Sequence, residues 1–286
     1  MGQKDISEKI LEDYNDVFAD IVNVLVFEGK EVIQAKTLSE SLVHSQYKAD
    51  DRKLHELERD VTKRWEDHNI EFAVIGIENQ TVVDKTMPFR VIGYDGAEYR
   101  KQILDKKRKQ FAPVITIVLY FGTDHWDEPK SILESVDVPD GLEAFVNDYK
   151  FKVFEISWLT DEQLAMFKSD FGVVARFFVN KRRDPEHAAD DKTIVKHVDE
   201  VLKLLSVMTG DRRYEEILAH PELTKGVSSM CNVAQILENK GIEKGRAEGR
   251  NLIVEAVSRL RKGETPERLK ADGFDQETID LAQAIR

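Results

Sequence analysis

Asp60, Glu78 and Gln80 are the residues whose types and spacing suit work on a phosphate. Asp60 stands ahead of a polar run. A strand-like apolar run, Phe72-Ala73-Val74-Ile75-Gly76-Ile77, then ends on Glu78-Asn79-Gln80. A divalent metal such as Mg²⁺ wants hard oxygen ligands near octahedral geometry, commonly one or two carboxylates plus phosphate and waters. Asp60 and Glu78 can supply the carboxylates, and the backbone carbonyl of Asn79 a third oxygen. Side-chain direction in a strand repeats every second residue, so Glu78 and Gln80 share a face. Gln80 would then sit beside the ligands, where it can orient an attacking water or touch a phosphate. Mg²⁺ or Mn²⁺ held there would activate water and stabilise charge developing at phosphorus. Acids are common in this chain, so the spacing taken alone fits a capped helix followed by a strand end equally well.

The elements around these residues read as an α/β fold. Residues 6–27 show apolar positions at helical spacing, with Ser7 as a candidate N-cap. Asp16 and Asp20 are neighbours on one face of that helix; they fit a solvated acidic face, or one of them points at the metal. Residues 30–50 look irregular, and 51–68 helical or mixed. Residues 70–78 read as a buried strand. A second helix is expected over 86–110, weakened by Gly93 and Gly96. Its basic end carries Arg100, Lys101, Lys106, Lys107, Arg108 and Lys109 around Gln102. That run is either a solvated helix end or a face that contacts DNA phosphates. Residues 114–121 read as a strand covered on both faces. A short helix at 130–135, a strand at 151–156 and a helix that begins at Thr160 and continues apolar from Phe171 to Asn180 complete a small sheet flanked by helices.

The composition changes at Lys181-Arg182-Arg183-Asp184-Pro185. This divides the chain into an α/β domain (1–185), a helical region (186–230) and a C-terminal helical tail (231–286). Residues 192–219 read as a helix broken near Gly210, with a polar linker from Pro221. The tail is expected to begin with a long helix over 231–262. Gly241, Gly245 and Gly249 each cost helix propensity, which favours a charged tether over a helix packed against a partner. Thr265, Pro266 and Gly273 punctuate two short helices after it. A homodimer through these helices is an open expectation.

Composition bounds the rest. The 286 residues are 41% hydrophobic and 34% charged, a soluble globular balance. Neither a membrane span nor a secretory leader is read from the sequence, so a cytoplasmic location is expected. The single cysteine, Cys231, excludes an intramolecular disulfide and a cysteine-based zinc site. The net charge of −12 argues against indiscriminate coating of nucleic acid, but a local basic patch can still hold phosphates.

Several stretches together resemble a known family. They are Tyr14-Asn15-Asp16-Val17-Phe18-Ala19-Asp20, Arg59-Asp60-Val61-Thr62-Lys63, Ile75-Gly76-Ile77-Glu78-Asn79-Gln80, Met87-Pro88-Phe89-Arg90, Tyr99-Arg100-Lys101-Gln102 and Pro113 to Gly122. Over about residues 10–180 the chain resembles the "recombination-promoting nuclease / putative transposase" family of the PD-(D/E)XK nuclease superfamily. The resemblance implies a restriction-endonuclease-like core, a mixed sheet flanked by helices, followed here by an all-helical C-terminal region. It implies a metal-dependent DNA endonuclease associated with recombination or mobile elements, with Asp60 and Glu78 as metal ligands. Gln80 would stand where the superfamily usually has lysine. An acid of the first helix, Asp16 in preference to Asp20, would join the ligands, and Gln102 would be a further polar site residue. Glutamine hydrogen-bonds but carries no positive charge. A catalytically silent DNA-binding or protein-interaction member of the same fold is therefore the alternative, and a helical scaffold with an inert α/β domain a third reading.

Overall fold

The computed structural model describes residues 10–41, 44–48, 54–58, 60–67, 70–187 and 190–285. It has two compact units, Met1–Ser229 and Met230–Arg286. The composition change at Lys181–Pro185 falls inside the first. Ser7 and the other expectations on residues 6–9 lie outside the described residues.

A short 3₁₀ turn at Leu11–Asp13 precedes helix α1 (Asn15–Leu25). The expected continuous helix is interrupted at Tyr14, whose backbone is extended. Strand β1 (Leu38–Glu40) and an antiparallel pair, β2 (His44–Lys48) and β3 (Leu54–Glu58), follow. Strand β4 (Val61–Asp67) leads into β5 (Ile70–Gln80). The expectations of irregular chain over 30–50 and of helix within 51–68 are thus corrected. Lys, Arg and Glu favour helix when their neighbours are ignored, but β4 takes its conformation from its partners, β5 on one side and β1 on the other.

Helix α2 (Met87–Leu104) then carries the chain to β6 (Val114–Tyr120). The short α3 (Ile132–Ser135) and β7 (Lys152–Glu155) come next, followed by α4 (Asp161–Met166) and α5 (Phe171–Arg183). Thr160 caps α4 with a reciprocal capping box to Gln163. The five-stranded sheet has the order β1-β4-β5-β6-β7. Pairing is antiparallel as far as β5 and parallel from β5 to β7. Register places Glu78 opposite Val118 and Gln80 opposite Tyr120.

Alternation divides the sheet into two faces. Glu78, Gln80, Thr116, Val118 and Tyr120 face α2: the Thr116 hydroxyl donates to Asp95 at 2.6 Å, and Met87 and Val91 pack with Val118, Tyr120, Trp126 and Phe151. Ile75, Ile77, Asn79, Ile117 and Leu119 belong to the other face, and all but Asn79 are buried. At the end of β6, Phe121 meets Phe171 and Phe178 of α5. Gly122 lets the chain turn under the Tyr120 ring, since a Cβ there would lie 2.1 Å from the Tyr120 hydroxyl.

Helices α6 (Val198–Thr209), α7 (Arg212–Leu218) and α8 (Pro221–Thr224) finish the first unit. Gly210, in a left-handed conformation, ends α6 as expected, and the expected linker from Pro221 begins with the α8 turn. The Tyr14 hydroxyl donates to Glu200 at 2.9 Å, and its ring stacks on His197.

In the second unit α9 (Met230–Arg261) is one continuous helix. The long helix expected over 231–262 is observed: it is regular through all three glycines, and a Cβ on any of them would meet nothing within 4 Å. Helices α10 (Pro266–Ala271) and α11 (Gln276–Ile285) fold back on its end around Leu260, Leu269 and Ile279. Among the described residues no helix is long and apolar enough to cross a membrane.

Gln102 fixes the turn from α2 into β6. Its amide donates to the Ala112 carbonyl at 3.1 Å and accepts from the Ala112 N–H at 2.9 Å and from Arg108 at 3.2 Å. Gln102→Leu keeps the bulk and strands these buried partners. We expect it to lower stability by about 2–4 kcal/mol, measured as a shift in the urea midpoint at constant slope. An unchanged midpoint would refute this role.

Candidate functional site

Asp60 and Glu78 come together because β4 and β5 are antiparallel neighbours. Val61 pairs with Ile77, so Asp60, just before β4, lies beside the end of β5. The Asn79 N–H donates to Asp60 Oδ2 at 2.6 Å. In an extended strand the N–H and C=O of one residue point to the same side, so the Asn79 carbonyl is also directed to the side where Asp60 stands. Asp60 is exposed, whereas Glu78 is 2% exposed.

Glu78 is matched by a cation from α2. Arg90 Nη2 donates to Glu78 Oε1, and the Gln80 amide reaches the same oxygen at 3.3 Å. Arg90 is held from behind. Its Nη1 donates to Asp84 at 2.8 Å, and its Nε and Nη2 donate to the Tyr94 hydroxyl at 3.1 and 3.0 Å. Asp84 in turn accepts from the Thr86 N–H and hydroxyl just ahead of α2. Desolvation works against the charges of Arg90 and Asp84, but their mutual pairing and the nearby hydrogen bonds outweigh it. Arg90 holds its proton more firmly than usual, and Asp84 gives up its proton more readily. Burial, followed by the Glu78 charge, pushes the Tyr94 hydroxyl upward.

The acid that joins this group from the N-terminal segment is Glu12. Asp16 and Asp20 are placed elsewhere. Asp16 lies 3.9 Å from Lys196 and 4.0 Å from His197, and Asp20 accepts the N–H groups of Lys168 and Ser169. Both line a separate cavity of about 310 Å³. Glu12, fully buried on the 3₁₀ turn, accepts from the Asn79 side chain at 3.2 Å. Its Oε2 and the Asn79 Oδ1 are buried without hydrogen-bond partners among the described residues. Burial first, and the Asp60 charge second among the raising causes, push the Glu12 carboxyl up to about 7.

Other expected site residues are not brought to this group. Gln102 is tied to Ala112 and Arg108 at the far end of α2. Ala112, to which it is tied, lies six residues along the chain from Val118, the partner of Glu78, so the two places are about 20 Å apart. Arg100, Lys106, Lys107 and Lys109 are exposed at or beyond that same end. Lys101 pairs with Glu98 at 3.0 Å, and Arg108 is closed into a 2.5 Å pair with Glu71. The basic run and the acids therefore occupy opposite ends of the sheet. Glu12, Arg90 and Tyr94 were not among the residues expected from sequence. For Arg90 and Tyr94 a signal exists: Pro88 marks the first turn of a helix, and positions four apart share a helix face.

The oxygen donors Asp60, Glu78, Glu12 and the Asn79 carbonyl suit a hard cation. As they stand, no three His, Cys, Asp or Glu side chains among the described residues form a cluster that could hold a metal ion. A second cavity of about 360 Å³ opens beside Asp60, Asn79 and Gln80, with Leu204, Val207 and Lys203 of α6 along its far wall.

The Glu12 shift has a defined sign. A carboxyl raised from 4.5 to about 7 on folding favours the native state at low pH. That contribution is fully present below 4.5 and is lost as pH rises through about 7. Glu12→Gln cannot ionise and can still accept from Asn79. In metal-free buffer it should match the wild type near pH 4.5 and exceed it by up to about 3 kcal/mol at pH 8. Denaturant titrations at the two pH values measure this, and a pH-independent difference would show that Glu12 does not titrate as described.

Residues 67–207 match the family model described as "Putative transposase, YhgA-like". The matched stretch includes Glu78, Gln80, Arg90 and Tyr94 and leaves Glu12 and Asp60 outside it. No curated protein and no solved structure matches the chain significantly. The strand–helix–strand segment that frames Glu78 lies within the stretch that is similar to this family.

Proposed function

We propose that this protein is a metal-dependent DNA endonuclease of the PD-(D/E)XK type, associated with recombination or mobile elements. The observation that carries the reading is that Asp60, just ahead of β4, accepts from the Asn79 N–H beside Glu78 at the end of β5. The mixed sheet with α2 crossing from β5 to the parallel β6 agrees with such a core. The family's description as a transposase supports a role on DNA.

Asp60, Glu78 and the Asn79 carbonyl would hold Mg²⁺ or Mn²⁺, with Glu12 behind them. When bound, the metal supplies Lewis-acid polarisation of phosphate and water. In the reaction, the oxygen of a water bonds to phosphorus and the bond to one ester oxygen breaks. One water proton leaves on the departing oxygen, and the other is released from the new phosphate monoester. Gln80, two residues beyond Glu78 on the same face, can accept from the attacking water or donate to a phosphate oxygen. Glu12, poised near neutrality, sits where it can buffer the charge of Asp60 as the cation arrives.

The test is cleavage of supercoiled plasmid in Mg²⁺ or Mn²⁺ by the wild type, Asp60→Ala and Glu78→Gln. Wild-type nicking should fall at least about a hundredfold in each variant, the scale lost with one electrostatic stabiliser of an active site. Absence of cleavage by the wild type, with salt-sensitive DNA binding retained, would make the protein a silent DNA-binding member of the fold. Absence of both would end the nucleic-acid reading.

A further inference from the structure

We propose that Arg90 supplies the phosphate-facing positive charge that Gln80 cannot, because its guanidinium and the Gln80 amide converge on the same oxygen of Glu78. The proposal rests on the endonuclease reading and names the residue that completes its site. A lysine at position 80 would bring an ammonium beside Glu78 from the strand. Arg90 brings a guanidinium to that carboxylate from the first turn of α2 instead.

Three features suit Arg90 to this work beyond closing an ion pair. First, it is fixed in orientation. Asp84 and Tyr94 hold the guanidinium through Nη1, Nε and Nη2, so little further ordering is needed when a phosphate arrives. Second, it has capacity left. Those contacts and Glu78 leave one hydrogen, on Nη1, to donate to a phosphate oxygen. Third, it can be reached. Its side chain is 33% exposed, against 13% for Arg108 in its pair with Glu71. Placed beside acids, this accessible cation is where a phosphate oxygen would settle, since Asp60, Glu78 and Asp84 all repel it.

The experiment follows one ladder of full-length variants: wild type, Arg90→Lys, Arg90→Gln, and Arg90→Gln combined with Gln80→Lys. Two readouts are taken, plasmid cleavage in Mg²⁺ and affinity for a short duplex in Ca²⁺ across a salt series. Arg90→Gln takes a cation away from a buried carboxylate and is at risk of unfolding, so each variant's melting curve is recorded. The double variant returns a charge to the same oxygen. We expect Arg90→Gln to cut about 10²-fold more slowly. It should also bind about tenfold more weakly, with a salt slope lower by about one counterion. Arg90→Lys should fall between, and the double variant should regain at least tenfold in both readouts. Wild-type rates and salt slope in folded Arg90→Gln would overturn the proposal. So would a double variant that melts like the wild type yet stays at the Arg90→Gln level. Should the wild type bind but not cut, the endonuclease reading fails by itself. The affinity ladder then decides Arg90 alone: loss with rescue supports it, and equal affinities or no measurable binding overturn it.

Discussion

A carboxylate as buried as that of Glu78 must keep a proton or meet a positive charge, and much of the first unit follows from how this chain meets that demand. The guanidinium that answers it rides on the first turn of α2, so α2 must begin within reach of the end of β5. The connection over 81–86 is accordingly short, and Asp84 and Thr86 turn it sharply. Because β6 runs parallel to β5, α2 must then travel back along the sheet before β6 can start. Thr116 and Asp95 hold it to the sheet midway, and Gln102 secures the far turn. One buried negative charge thus sits at one end of a lever whose other end is fixed by an uncharged amide.

What was legible in the sequence follows the strength of each local signal. The strands β5 and β6 are apolar and β-branched through their length, and both were read correctly. The strand β4 is mostly charged or polar, as is β3 ahead of it, and their character is set by pairing that a local pattern does not contain. Helix α2 survives Gly93 and Gly96 because Met87, Val91, Tyr94, Asp95 and Glu98 are buried at helical spacing. The first helix was read as starting too early, since Ile10 and Leu11 keep the apolar spacing while the extended Tyr14 breaks the backbone.

The site was legible where it depends on neighbouring strands and obscure where it depends on direction. Once 61–67 is a strand antiparallel to 70–80, Asp60 has to lie near Glu78. Read as helix, the same residues leave their separation undefined. Gln102 and Arg90 share one helix, but 18 residues of helix span about 27 Å, and only the end that meets β5 can serve Glu78. The basic run around Arg108 stands at the other end for the same reason. Glu12 was missed because a continuous helix gives its face to Asp16 and Asp20, whereas the 3₁₀ turn directs Glu12 to Asn79.

The charge distribution sets the terms on which this group can act. Glu78 and Asp84 meet the Arg90 guanidinium, Asp60 and Glu12 both meet Asn79, and the chain as a whole carries −12. At Glu12, burial first and the Asp60 charge after it push the carboxyl up to about 7. A polyanion approaching this pocket meets net repulsion, so binding by surface charge alone is disfavoured there. A divalent cation would reverse that balance by neutralising carboxylate charge, and for Glu12 it would offset the cost of ionising a buried carboxyl. Arg90, already oriented, would be released from full charge on Glu78 toward the incoming phosphate. Glu78 and Arg90 thus form one electrostatic unit, in which the proposed metal ligand and the proposed phosphate contact depend on each other.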